Sequence, residues 1–192
     1  MKTNFNDPKF IEKLKQRDNS SLSLIIDHYS IQLYRFCLKH KLSESEIEDC
    51  IQNTWSTFIE SVKKFEGRSH IRTYIFGILL NKMKEHWRQN KKHLHQPLEE
   101  ESQQVFNSDI QTYLSPEKIV YNDQVGKILL ESIDKLPSQQ KTAFILKELQ
   151  GESTEEICNM MNITRTHLGV IIFRAKNTLR RMVEQYNLNR MQ

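Results

Sequence analysis

The chain has 192 residues, 38% apolar and 27% charged, which is enough apolar material for one large core or two small ones and too polar for a membrane-embedded protein. Five glycines and four prolines are few for an all-β fold, which needs many turns, and the predicted class is all-α. The net charge of +4 is unevenly spread. Between Lys63 and Lys92 nine Lys/Arg face only Glu66 and Glu85, whereas Leu42–Val62 has no Lys or Arg and carries Glu44, Glu46, Glu48, Asp49 and Glu60. A basic block suits a polyanion; an acidic stretch free of cations suits a basic partner.

The N-terminus MKTNFNDPKF has no apolar signal core, and no apolar run is long enough to span a bilayer, so a cytoplasmic location without membrane insertion is expected. Cys37, Cys50 and Cys158 are odd in number and widely spaced, which fits a reducing compartment. Cys37 and His40 share a helix face, but two ligands do not make a metal site. No metal, cofactor or small-molecule substrate is expected, and no catalytic signature appears.

In chain order, Leu22, Leu24, Ile25, Ile26, Tyr29, Leu33, Phe36 and Cys37 recur at spacings of three and four, which predicts a helix over 20–40. Ser43 with Glu46 three residues later reads as a capping box. The helix it opens turns Ile47, Ile51, Trp55, Phe58 and Val62 inward and shows Glu48, Asp49, Gln52 and Asn53 on another side. Phe65–His70 breaks the pattern: Gly67 permits a tight turn, and Ser69 is positioned to cap the next helix. Helical spacing resumes over 70–90 through Ile71, Tyr74, Ile75, Ile78, Leu79, Met83 and Trp87. Residues 1–92 form the predicted first module.

Residues 93–116 are a poor core, rich in polar residues and containing Pro97 and Pro116, and read as a flexible linker. As a coil it spans roughly 27 Å and stretched about 80 Å, against about 34–36 Å for one turn of DNA. Residues 117–192 form the second predicted module. Ile119, Val120, Val125, Ile128, Leu129, Ile133 and Leu136 make an amphipathic helix ended by Pro137, which cannot continue the ladder. Ser138 opens the next helix, with Ala143, Phe144, Leu146 and Leu149 apolar, and Gly151 stops it.

Residues 153–181 carry the most specific pattern. Ser153 caps a short helix, Thr154 to Met161, whose inner face is Ile157, Met160 and Met161. Asn162 tolerates a left-handed backbone, Ile163 fills the elbow, and Thr164 caps a long helix. This is a helix-turn-helix plan. On the long helix Leu168, Ile171, Ile172, Ala175, Leu179 and Met182 share one side. Thr166, Val170, Phe173, Asn177, Arg180 and Arg181 oppose them, flanked by Arg165, Gly169, Arg174 and Lys176. From Ile163 to Gln192 six Lys/Arg stand against Glu184 alone, so the outer side suits duplex DNA. The apolar Val170 and Phe173 on that side suit thymine methyls, a partner protein or a covering helix equally.

Asp49-Cys-Ile-Gln-Asn-Thr-Trp, then Phe65-Glu-Gly-Arg-Ser, then Ile71-Arg-Thr-Tyr-Ile-Phe-Gly-Ile with Asn81 resembles region two of the extracytoplasmic-function sigma factors of RNA polymerase. Leu136-Pro-Ser-Gln-Gln, Gly151-Glu-Ser-Thr-Glu-Glu-Ile and Arg174-Ala-Lys176 resemble their region four. The resemblance implies two helical domains, promoter-specific transcription initiation, and core RNA polymerase and promoter DNA as partners. It also implies an anti-sigma factor as a regulator. Asp49, Gln52, Asn53 and Thr54 match the polymerase-docking helix, though Asn53 stands where an acid is common. Phe65, Arg68, Ser69, His70, Arg72, Tyr74, Lys82, Lys84 and Arg88 match the part that opens and reads the minus-ten element. Phe65, His70 and Tyr74 would stack on unpaired bases, and Arg68, Arg72, Lys82, Lys84 and Arg88 would hold backbone. Thr164, Arg165, Thr166, His167, Gly169, Val170, Phe173, Arg174 and Asn177 match the helix that reads the minus-thirty-five element. Here the chain departs from the pattern: Gly169-Val-Ile-Ile172 occupies positions where many members carry basic or hydroxyl residues. Region three of larger sigma factors has no counterpart. A stand-alone helix-turn-helix regulator would leave residues 20–92 without a purpose, and a nucleic-acid enzyme would want clustered carboxylates or histidines. A pure interaction protein, such as an anti-sigma adaptor, would lack DNA binding.

Overall fold

The computed structural model describes residues 3–92 and 123–190. Among these every regular element is helical, and the chain divides into two compact units, one holding residues up to Gln96 and the other most of the chain from Pro97 on. The segment 93–116, together with Ile119 and Val120, lies outside the described residues.

The first unit opens with α1 (Pro8–Lys15), which the periodicity reading passed over. Its start comes from local chemistry. The Asp7 carboxylate accepts from the Lys9 and Phe10 amides, and Pro8 sits where a missing N–H costs nothing. Next comes α2 (Asn19–Lys39), capped by Asp18, which accepts from the Ser21 amide at 2.9 Å. It buries Leu22, Ile25, Tyr29, Leu33, Phe36 and Cys37, as the spacing predicts. Leu24 faces outward instead, in a row with Ile31, Tyr34 and Leu38. The helix α3 (Glu44–Ser61) begins at the predicted capping box and runs into a short 3-10 turn, Val62–Lys64. Ile47, Cys50, Trp55, Phe58 and Val62 are buried along it.

The helix α4 (Ile71–Lys92) completes the unit, but its cap is not the expected one. The Ser69 hydroxyl lies 3.4 Å from the His70 carbonyl, while the Ile71 amide donates to Asn6 Oδ1 at 2.9 Å. A side chain 65 residues away in sequence therefore satisfies the first helical donor. Tyr74 ties α4 to α3: its hydroxyl donates to Ser61 Oγ at 2.8 Å, and Ser61 donates in turn to the Thr57 carbonyl.

The second unit begins, within the described residues, at α5 (Asp123–Asp134) and continues through α6 (Ser138–Phe144), with Pro137 at the break. The last turn of α6 widens into a π-helical segment, Ile145–Leu149, where the Gln150 amide reaches back to the Ile145 carbonyl at 3.0 Å. Gly151 then takes φ +68°, a conformation a side chain would strain, and releases the chain into α7 (Thr154–Met161). The long helix α8 (Arg165–Arg190) lies across α5 and α6. The common core is Leu129, Ile133, Leu136, Phe144, Ala175 and Leu179. Ion pairs brace this unit, among them Lys141 Nζ to Asp134 at 2.7 Å and Lys176 Nζ to Glu148 at 2.9 Å. Among the described residues no helix is long and apolar enough to cross a membrane.

Candidate polymerase and promoter interfaces

The acidic helix α3 is anchored at its start by a closed capping box and a bond to α4. Ser43 Oγ accepts from the Glu46 amide at 3.4 Å, and the Glu46 carboxylate accepts from the Ser43 amide at 2.7 Å and its hydroxyl at 2.8 Å. His86 of α4 adds a third contact, Nε2 to Oε1 at 2.7 Å. These donors hold the Glu46 carboxyl at about 2, the Ser43 amide contributing most, then the Ser43 hydroxyl and His86. A helix pinned at its start and tied to α4 presents its outer residues in a fixed register.

Those outer residues are Glu48, Asp49, Gln52, Asn53, Ser56 and Glu60, all exposed. Thr54 does not belong with them. It is 0% exposed, and its hydroxyl donates to the Cys50 carbonyl at 2.6 Å on the packed side of the helix. Its spacing from Ile47, Cys50 and Phe58 puts it on the core face, so the polymerase-contact expectation is corrected at this position. Three of the four expected docking residues, Asp49, Gln52 and Asn53, share the accessible face.

The expected minus-ten residues divide in a similar way. Phe65 is buried, its ring 5.0 Å from Tyr74, so it is packing rather than a free stacking surface. That corrects its expected role. Tyr74 is half-buried and spends its hydroxyl on Ser61. His70 is the exposed ring of the loop. Gly67, at φ +73°, makes the turn that carries Arg68 outward, where it pairs with Glu66 at 2.5 Å. Ser69 is half-exposed. On α4, Arg72 lies over the Phe76 ring at 4.6 Å, Lys82 pairs with Glu85 at 3.1 Å, Lys84 is half-buried and Arg88 is exposed.

The helix-turn-helix of the second unit forms as its sequence predicts. Ser153 caps α7 and, with Glu156, closes a second capping box: Ser153 Oγ accepts from the Glu156 amide at 3.2 Å, and the Glu156 carboxylate accepts from the Ser153 amide at 3.3 Å. Asn162 takes φ +53°, and the Ile163 amide returns to the Cys158 carbonyl at 3.1 Å, which sets the elbow. Thr164 Oγ1 accepts from the His167 amide at 3.2 Å, capping α8. Leu168, Ile171, Ala175 and Leu179 are buried, which turns the opposite side outward. Thr164, Arg165, Thr166, His167, Gly169, Phe173 and Arg174 are exposed, while Val170 and Asn177 are half-exposed. Phe173 keeps 41% of its surface, and among the described residues no neighbouring helix covers it.

One unit with a cation-free acidic helix and a second built around a helix-turn-helix with a basic outer side define a two-module helical transcription factor. Residues 25–93 match the family described as sigma-70 region 2, and residues 126–179 match sigma-70 region 4. The chain is 24% identical to the sigma-E factor of Haemophilus influenzae over 190 residues, covering 96% of this chain and 98% of that protein. It is 22% identical to the sigma-H factor of Pseudomonas aeruginosa over 182 residues, covering 93% and 94%. Two solved structures share the fold. CnrH, in complex with the cytosolic domain of CnrY, has a TM-score of 0.64 at 14% identity, covering 94% of this chain and 98% of that one. The sigma factor RpoE of Bartonella quintana, in complex with the anti-sigma factor NepR, has a TM-score of 0.58 at 17% identity, covering 84% and 96%. The chain belongs to the sigma-70 family, in its extracytoplasmic-function group.

Proposed function

We propose that this sigma factor binds core RNA polymerase through the exposed face of α3 and directs initiation by holding a promoter at two places. The N-terminal module, residues 1–92, supplies the polymerase contact through Asp49, Gln52 and Asn53. It also supplies the minus-ten contact through His70, Tyr74, Arg68, Ser69, Arg72, Lys82, Lys84 and Arg88. Residues 93–116 act as the tether. The C-terminal module, residues 117–192, reads the minus-thirty-five element as duplex through the outer side of α8. On this reading the protein works in the cytoplasm as a non-catalytic subunit, and a separate anti-sigma protein restrains it.

The observation that carries the reading is the pairing, in one chain, of a rigidly capped helix whose exposed face has acids and no cation with a helix-turn-helix whose long second helix has six cations and one acid, Glu184. Complementary charge steers docking and suppresses wrong partners, and the two surfaces call for partners of opposite sign. A regulator that binds its operator alone has no use for the first surface. The test is transcription in vitro. Core polymerase plus this chain should open and transcribe a subset of fragments from a genomic library that core alone ignores. Retention of the chain on DNA without core, and no promoter opening with it, is the result expected of a stand-alone regulator and overturns the proposal.

A further inference from the structure

The outer side of α8 is chemically unusual for a surface that meets a major groove. The first turns of its outer side run Thr166, Gly169, Val170, Phe173, and the same side continues through Asn177, Arg180 and Arg181. No guanidinium or ammonium stands on the strip of these first turns. The cations sit around it: Arg165 at the start of the helix, Arg174 on the flank and Arg181 further on, all exposed. Lys176 is drawn aside into its pair with Glu148. Gly169 is exposed, and a Cβ built there would meet nothing within 4 Å, so the packing of this module does not require a glycine at that position. Its missing side chain leaves the helix backbone free to approach a groove floor closely.

Each base pair shows the major groove a distinct pattern. Guanine offers two acceptors that call for Arg or Lys; thymine offers one acceptor and a C5-methyl that calls for an apolar group. The strip lacks the group that reads guanine and holds two that read thymine. Flanking cations fit phosphates on either side of the groove, which positions the helix without reading sequence. A protein partner for the same patch would have to tolerate those cations at its rim, whereas a duplex demands them.

We propose that α8 reads its duplex element chiefly through thymine methyls, with Val170 and Phe173 as the specificity-determining side chains and Gly169 letting them reach the methyls. This deepens the sigma-factor reading and rests on it. The selected minus-thirty-five element should hold at least two neighbouring A·T pairs whose thymine methyls face the helix. Removing a methyl that packs against an apolar side chain costs about 4-fold in binding.

The experiment uses holoenzyme reconstituted from core polymerase and the full chain. A promoter is selected from a pool randomised in the upstream duplex element, with the minus-ten element held constant. Each thymine of the selected element is then replaced by deoxyuridine, which deletes the methyl and keeps every hydrogen-bonding group. The expected result is a loss of about 4-fold in open-complex formation for each of two positions. Val170→Ala should abolish the loss at one position and Phe173→Ala at the other. Gly169→Arg, whose Cβ would meet no neighbour within 4 Å on the exposed side of the helix, should move selection toward guanine. Holoenzyme that opens promoters normally but is indifferent to deoxyuridine throughout the element overturns this inference alone. So does a selected element of G·C pairs. A chain that forms no holoenzyme overturns the sigma reading itself.

Discussion

Replacing Glu46 by alanine tests whether one carboxylate both starts the acidic helix and binds it to α4. The side chain accepts from the Ser43 amide, the Ser43 hydroxyl and His86, at 2.7, 2.8 and 2.7 Å. The Ser43 hydroxyl still caps the amide at position 46 in the variant. Losing the reciprocal half of the capping box, the bonds from the Ser43 amide and hydroxyl, costs about 1 kcal/mol. The His86 contact adds less than about 1 kcal/mol, because 31% of the Glu46 side chain and 21% of the His86 side chain remain in solvent, which screens the pair. The sum is about 1.5 kcal/mol, and for a module of this size that lowers the midpoint of thermal unfolding by about 6–12 °C. Both tryptophans of the chain, Trp55 and Trp87, lie in the N-terminal module, so their fluorescence tracks its unfolding without interference from the other. The same substitution has a pH signature. Glu46 has its carboxyl held at about 2 against an ordinary value of 4.5. A lowered carboxyl stabilises the fold while ionised, so its contribution is full above about pH 4.5 and disappears as pH falls toward 2. Wild type should therefore lose stability over that window more steeply than Glu46→Ala, and the two should converge at the acid end. Glu46→Gln, which keeps an acceptor for the Ser43 amide, should fall between them. An alanine variant with the wild-type midpoint at neutral pH, or with an undiminished acid slope, refutes the reasoning.

The remaining predictions are shorter. Phe58→Ala empties a site with no solvent contact and should cost about 3–5 kcal/mol, read as collapse of the tryptophan unfolding midpoint. Asn6→Ala strands the Ile71 amide and should cost about 1 kcal/mol, with faster hydrogen exchange at Ile71 and Arg72 and unchanged exchange in α8. Asp49→Lys together with Gln52→Lys should change stability by less than about 1 kcal/mol, because both residues are exposed, yet weaken capture by core polymerase in a pull-down. Arg165→Ala and Arg174→Ala should each lower the slope of log affinity against log salt by about 1 in a duplex titration while leaving base preference unchanged.

The chain alone made legible whatever depends on neighbours in sequence. The capping box at Ser43 and Glu46, the left-handed Asn162, the Thr164 cap and, of the expected inward row, Leu168, Ile171, Ala175 and Leu179 are set by local spacing and backbone preference and stand where their patterns implied, whereas Ile172 and Met182 of that row are half-exposed. The spacing pattern passed over α1, although Asp7-Pro8, a cap and then a first-turn proline, is the local signal that marks its start. Thr54 shows how a matched motif can mislead where periodicity does not: a residue four past Cys50 and four before Phe58 belongs to the buried face, whatever role its motif suggests. Other features required the chain to fold back on itself. Phe65 lies outside any helix, so no period dictates whether its ring turns outward or, as it does, against Tyr74. Likewise, Ser69 stands in the right place to cap α4, yet the bond goes to Asn6, because the N-terminal segment is brought to that helix end by packing and presents its amide oxygen there. Sequence determined where helices begin and which side of each is apolar, since both arise from interactions a few residues apart. Tertiary structure decided which distant groups meet at the ends and edges of those helices, since side chains far apart in sequence become neighbours only when the core closes.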